Sequence, residues 1–426
     1  MDGSRYAPLA ATAAAVALVA AARALTFSLD AHPDLHIGNP PLVGSIDWRP
    51  SLRLAPAVLL AIAAVALAPL AAVRLRWRVL LATSALAAFA WAVTLALGDG
   101  IQALVAPLMT RYEYLAAVDS VDSPGAFLDG FVERLATYPT HVKSHPPGLL
   151  LALWGLDEVG LGGAWPMAAL VIGTGALAAP AALVCAREIA GEATARQAAP
   201  FLAFAPAALW VATSADGLFL GVTTIGIAAF VLATGRRGLR GDAFALAAGL
   251  VLGVALALSY GVATLAIVVL AVAVHRRRLR PLIVATTGVA VVGAALLAGG
   301  FVWWDGLAAT REQYYAGLAS QRPFAAFLVI SVAAFAVALG PAVAGGLATL
   351  RDRRLWVLVG AGIATVLAAD VSGLSRGETE RIWLPFTPWL LLACAPLANS
   401  IRGARGWLAL QVVVALTLQA AIVSPW

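Results

Sequence analysis

Charge is the scarcest feature of this chain. Only 12% of its 426 residues are Asp, Glu, Lys or Arg, against 62% hydrophobic. Soluble domains carry about 25% charged residues, so a soluble enzyme or nucleic-acid-binding module is excluded. Lysine is rarer still, because Lys143 is the only one. Cysteine is limited to Cys185 and Cys394, both at or within apolar runs and without metal-like spacing. A disulfide framework is therefore not expected. Two histidine pairs stand four apart, His32 with His36 and His141 with His145, and the prolines after His145 argue against a helical metal pair there. No metal and no cofactor are expected. Neither an internal repeat nor a soluble domain is visible.

Apolar runs of spanning length fill most of the rest. They predict an all-α, polytopic helical membrane protein with about thirteen transmembrane helices. The expected spans are 7–26, 54–73, 79–98, 164–186, 198–215, 218–235, 243–258, 260–274, 282–302, 325–349, 355–370, 384–399 and 406–423. The pair 243–258 and 260–274 is short, with Ser259-Tyr260-Gly261 as its turn. The first run ends in Ala22-Arg23-Ala24 and looks like a signal peptide, but the many spans after it favour an uncleaved helix. Leu149 to Leu156 is apolar but too short to cross, so it reads as a juxtamembrane or re-entrant piece.

With that segment kept on one side, the basic clusters fall together. They are Arg5; Arg74, Arg76 and Arg78; Arg187 and Arg196; Arg236, Arg237 and Arg240; Arg276, Arg277, Arg278 and Arg280; Arg351, Arg353 and Arg354; Arg402 and Arg405. The net charge of +6 is thus a matter of helix orientation and not of nucleic-acid partners. This arrangement predicts a cell-membrane protein with a cytoplasmic N-terminus. The acids Asp30, Asp34, Asp47, Asp99, Glu113, Asp119, Asp122, Asp129, Glu133, Asp216, Asp305, Glu312, Glu378 and Glu380 then share the outer side.

The longest polar stretch, Asp99 to His145, reads as two juxtamembrane helices on the outer leaflet. Leu115, Val118 and Val121, then Phe127, Phe131 and Leu135, recur at helical spacing, and Ser123-Pro124-Gly125 separates the two. Asp122 or Ser123 suits a helix N-cap. The stretch ends in Tyr138-Pro-Thr-His-Val-Lys-Ser-His-Pro-Pro-Gly148, a rigid turn facing water.

The order of these features carries a resemblance. A span ends in Gly98-Asp99-Gly100, and a loop of interfacial helices leads to Tyr-Pro and His-Pro-Pro. The next span ends in Arg187-Glu188-Ile189-Ala190-Gly191, and Ala199 to Pro206 leads to Ser214-Ala215-Asp216. Late in the chain stands Gly377-Glu378-Thr379-Glu380-Arg381-Ile382-Trp383-Leu384-Pro385. The whole resembles the GT-C superfamily of polytopic glycosyltransferases. That superfamily includes protein mannosyltransferases, aminoarabinose transferases and actinobacterial envelope mannosyl- and arabinosyltransferases. Two spans precede the one that resembles the family's first helix. The loop offers Asp99 and then Glu113 where the family has a paired acid.

The resemblance implies three regions: two additional N-terminal helices (1–78), a core with its extracytoplasmic loop 99–163 (79–235), and C-terminal helices (236–426). It implies inverting transfer of a sugar from a polyprenyl-phosphate donor to an envelope glycan or glycolipid acceptor at the outer face. Asp99 is the first candidate base, at the water-side end of a span between glycines. Glu113 is the rival, or else the salt-bridge partner of Arg111. His141 and His145 line the site, or His145 orients the Pro146-Pro147 turn. Arg381 is the candidate for the leaving phosphate, with Arg376, Arg322 and Lys143 as alternatives and Glu378 or Glu380 as its orienting partner. Asp216 is a boundary acid that orients sugar hydroxyls or another site residue. Trp303-Trp304 and Tyr314-Tyr315 offer stacking to a sugar or form an aromatic belt. The partners implied are these substrates and membrane lipids. The Ala- and Arg-rich, lysine-poor composition points to a high-GC bacterium such as an actinobacterium. Two rival classes remain, a GT-C-like scaffold without activity and a lipid or solute transporter.

Overall fold

The computed structural model describes residues 6–29, 35–212 and 214–424. Arg5, Asp30 and Asp34, assigned above by charge pattern, lie outside them. The protein is an all-α polytopic membrane protein. Eight helices among the described residues are long and apolar enough to cross a bilayer. They are Ala7–Phe27, Leu52–Arg74, Trp77–Asp99, Ala164–Ala190, Asp216–Thr234, Gly238–Leu258, Arg280–Ala298 and Ile401–Ala421. A ninth is reached if Phe324–Leu339 and Pro341–Thr349, bent by 94°, count as one span.

The expectation of about thirteen spans is therefore corrected. Four apolar runs do not reach spanning length, and each has a local cause. In 198–215 the helix Glu192–Ala203 stops because Ala205 precedes Pro206 and turns extended. Ser259 is likewise extended, which leaves Gly261–Arg276 short. Pro385, Pro388 and Pro396 break Leu384–Ala398 into 3₁₀ and α pieces. Leu355–Val371 has 17 residues, or ~26 Å at 1.5 Å each, against a core of ~30 Å. The short partner 243–258 moves the other way. Its helix starts at Gly238 and is a full span.

The arginine clusters meet at one end of the bundle and cap helix carbonyls there. Arg196 donates to the carbonyls of Ala72 (2.8 Å) and Leu75 (2.9 Å). Arg276 donates to the Glu188 carbonyl, and Arg278 to those of Thr234 (2.8 Å) and Arg236 (2.5 Å).

Small residues let the helices approach closely. The crossing of Gly238–Leu258 with Arg280–Ala298 is the clearest case. A methyl group on Gly249 would stand 1.9 Å from the Ala285 carbonyl oxygen, and one on Gly288 2.7 Å from that of Leu246. Both obstacles are backbone, so neither can swing aside. Gly249→Leu is expected to abolish the monodisperse peak in size-exclusion chromatography. Gly293→Leu, on the partner helix Arg280–Ala298 but with open space around it, is expected to keep that peak.

The polar stretch folds as short pieces and not as two full interfacial helices. Tyr114–Ser120 is 3₁₀, and only Pro124–Asp129 is α-helical in the second expected helix. Ser123 is its N-cap, with the hydroxyl accepting from the Ala126 amide. Phe127, Phe131 and Leu135 point inward. Phe131 stacks on Tyr138 and meets Phe301 edge-on. Gly148–Glu158 follows the His-Pro-Pro turn and has 11 residues, too few to cross.

Candidate active site

Asp216 opens the span Asp216–Thr234, where the helix dipole favours a carboxylate. It is only 2% exposed. Its Oδ2 accepts from Arg381 Nη1 at 2.6 Å. The other arm of the guanidinium, Nη2, donates to Glu378 Oε2 at 2.6 Å. Arg381 lies on the short turn Thr379–Ile382, and Glu378 precedes it in the left-handed region at φ 61°. Gly377, at φ 90°, makes that reversal possible. Two carboxylates therefore share one guanidinium, and the trio carries a formal charge of −1.

Glu113 caps the turn Tyr114–Ser120 and is 3% exposed. Its Oε1 lies 3.6 Å from His141 Nε2. Its Oε2 is buried and has no hydrogen-bond partner among the described residues. Burial pushes the carboxyl up to about 7, while Arg381 pulls it down and Asp216 and Glu378 push it up again. These groups thus form one electrostatic unit. Burial, Arg381 and His145 hold His141 well below the usual histidine range. The 3.6 Å pair is accordingly a carboxyl that exchanges its proton near pH 7 beside a neutral imidazole, and not an ion pair.

His145 Nδ1 stands 2.8 Å from the His141 carbonyl. A carbonyl only accepts, so Nδ1 carries the proton in the neutral ring. The ring sits between Tyr114 and Phe219 and ties down the turn into Pro146. Tyr114, missed in the sequence, belongs to the same unit. Its hydroxyl is buried, has no hydrogen-bond partner among the described residues, and is raised well above its usual range by burial, Glu113 and Asp216. The signal for it was the Arg111-Tyr112-Glu113-Tyr114 string inside a polar loop. Lys143 is half-buried on the short helix Thr140–Lys143 that carries His141, and its ammonium pairs with no carboxylate among the described residues.

The other candidates lie elsewhere. Asp99 accepts from Gln419 Nε2 at 2.7 Å and stands 3.5 Å from Arg49 Nη1, with its side chain 39% exposed. Arg322 donates to the backbone carbonyls of Leu35 and Arg376. Arg376 donates to those of Ala319 and Arg322 and lies over the rings of Tyr315 and Phe324. Glu380 turns the opposite way from Glu378 and accepts from the Val43 amide. Arg111 stacks on Tyr112 and donates to its hydroxyl at 2.6 Å, and it forms no ion pair with Glu113 among the described residues. Trp303 donates to the Leu256 carbonyl and Trp304 is exposed, which fits a belt better than a stacking platform. A cavity of about 360 Å³ lies between the turn that Glu113 caps and helix Gly148–Glu158. Leu115, Val118, Leu153 and Leu156 line it, with Asp119 and Asp157 as its charged members.

The protonation of Glu113 has a direct readout. Dicyclohexylcarbodiimide, which attacks protonated carboxyls in apolar surroundings, is expected to label Glu113 at pH 6. Labelling should fall with a midpoint near 7, followed by peptide mass spectrometry. Labelling confined to pH below 5 would sink this assignment. The linkage has a definite sign. The stability contributed by this raised carboxyl is fully present below its ordinary 4.5 and is lost as pH rises through about 7.

No known protein-family model matches this chain, and no curated protein matches it in sequence.

Proposed function

We propose that this protein is an inverting glycosyltransferase that uses a polyprenyl-phosphate sugar at the outer face of the cell membrane. The observation that carries the reading is Glu113, a buried carboxyl near pH 7 with one oxygen unpartnered among the described residues. Such a group is matched to take a proton at neutral pH. The resemblance of the His-Pro-Pro loop and the Arg381 segment to GT-C enzymes supports the same chemistry. The basic end of the bundle faces the cytoplasm by the positive-inside rule, and Glu113, Asp216 and Arg381 lie on the outer side.

In the proposed step the Glu113 carboxylate takes the proton of an acceptor hydroxyl. That oxygen attacks the anomeric carbon as the bond to phosphate breaks, and the polyprenyl phosphate leaves with the electron pair. Arg381 is already shared by Asp216 and Glu378, so it suits sugar hydroxyls better than a free phosphate. Lys143, which pairs with no carboxylate among the described residues and stands two positions from His141, takes the leaving phosphate. The cavity between Leu115–Asp119 and helix Gly148–Glu158 has carboxylates and no basic residue in its lining, which favours a neutral hydroxylated acceptor over an anionic one.

A transporter is the second reading, favoured by the 94° break at Gly340-Pro341. Gln411 answers that break, accepting from the Ala342 amide (3.2 Å) and donating to the Leu339 carbonyl (2.9 Å). The deciding test uses proteoliposomes and a panel of radiolabelled polyprenyl-phosphate sugars. Label moved to an acceptor supports the transferase. Translocation of intact donor or solute, with no transfer from any donor, sinks it.

A further inference from the structure

We propose that residues 35–46 form a strap that fixes the turn carrying Arg381, with Glu380 and Arg322 as its positioning residues. The inference does not depend on the transferase reading.

The strap is built into the protein. Leu35, Ile37 and Leu42 are buried, and the first two pack against Phe327 and Ile330. Its start is held by Arg322, whose Nε and Nη2 donate to the Leu35 carbonyl at 3.1 and 3.0 Å. The third nitrogen, Nη1, donates to the carbonyl of Arg376. One guanidinium thus joins the strap to the residue just before the Gly377-Glu378 reversal. The middle of the strap is held by Arg23, which donates to Asn39 Oδ1 (2.5 Å) and the Pro40 carbonyl (3.0 Å). The strap's end, Ser45–Ile46, pairs antiparallel with Ile422–Val423.

Glu380 makes the second join. It is 0% exposed, and its Oε1 accepts from the Val43 amide at 3.0 Å. Its Oε2 has no hydrogen-bond partner among the described residues. A fully buried acid is costly to keep, and here it bonds strap to turn one residue from Arg381. The turn needs such support. Gly377 and Glu378 are both at positive φ, and a non-glycine residue there persists only where its surroundings hold it. The bent helix supplies the remaining anchor, through Thr379 Oγ1 to the Ser331 carbonyl at 2.7 Å. Between Arg322 on one side and Glu380 on the other, the strap sets where the guanidinium of Arg381 meets Asp216.

The test uses the full chain purified in detergent, as wild type, Glu380→Ala and Glu380→Gln. Amide hydrogen exchange is followed at residues 35–46 and 376–383. Glu380→Ala is expected to speed exchange at least ~10-fold in both segments together, because both lose one shared anchor. Glu380→Gln keeps an acceptor for Val43 and is expected to stay near wild type. The second readout is the carbodiimide midpoint of Glu113, which faces His141, Tyr114, Asp216, Glu378 and Arg381. A displaced Arg381 no longer lowers it, so the midpoint moves up in Glu380→Ala and returns in Glu380→Gln. Faster exchange at 35–46 alone, with 376–383 and the midpoint unchanged, would overturn the proposal. Where Glu380→Ala does not fold, Arg322→Lys carries the same two readouts, since lysine cannot fork between two carbonyls.

Discussion

Glu113→Gln is expected to abolish sugar transfer while Asp99→Asn leaves it within a few-fold of wild type. A positioned general base contributes about 10²- to 10⁴-fold, so the loss should be at least ~100-fold in the Glu113 variant. A base must be poised near working pH and shielded from water. Glu113 is 3% exposed and pushed up to about 7, with an oxygen unpartnered among the described residues. Asp99 has a side chain 39% exposed and spends its oxygens on Gln419 and Arg49. The base acts ionised, so the wild-type rate should rise with pH through about 7 and then level. Initial rates with a labelled donor between pH 5.5 and 8.5 read both effects. If Asp99→Asn is instead the variant that loses transfer, the base lies at the helix end and the Glu113 unit only binds.

The fold was legible where hydropathy and backbone geometry agree along an apolar run. Ala7–Phe27 and Asp216–Thr234 stand close to their expected bounds. It was illegible where hydropathy and backbone geometry disagree. The runs 198–215 and 384–399 are apolar enough to cross, but Pro206, Pro385, Pro388 and Pro396 forbid a continuous helix. Similarly, 325–349 reads as one span until Gly340-Pro341 bends it. The site divides along the same line. The His-Pro-Pro loop, Asp216 and Arg381 each announce themselves by residue type, but the 2.6 Å contact joins residues 165 positions apart. Nor could sequence separate Glu378 from Glu380. On one tight turn, Glu378 at i−3 returns to Arg381, while Glu380 leaves on another face toward Val43. The glycines that flank Asp99 suggest close approach by a ligand. Gly98 instead makes room for Leu54, and Gly100 for Arg53.

Arg381→Met is expected to be the most destabilising single change in the candidate site. It leaves Asp216, 2% exposed, and Glu378 without the cation between them. Removing one partner of a buried pair costs about 3–5 kcal/mol, because the remaining charge stays buried. Asp216→Asn alone should cost less, since Arg381 keeps Glu378. The double variant Arg381→Met, Asp216→Asn should recover part of the loss, and the cycle of four proteins measures the coupling. Thermal unfolding of each in the same detergent supplies the values. The electrostatic consequence has its own sign. Arg381 lowers the Glu113 carboxyl, so its removal pushes Glu113 above about 7, and carbodiimide labelling should extend to higher pH. Arg381→Lys separates charge from shape. A single ammonium keeps most of the lowering at Glu113 but cannot present two parallel arms to Asp216 and Glu378. That variant should therefore hold the Glu113 midpoint near wild type while losing stability. If it instead loses neither, charge alone holds the trio and the fork geometry is incidental.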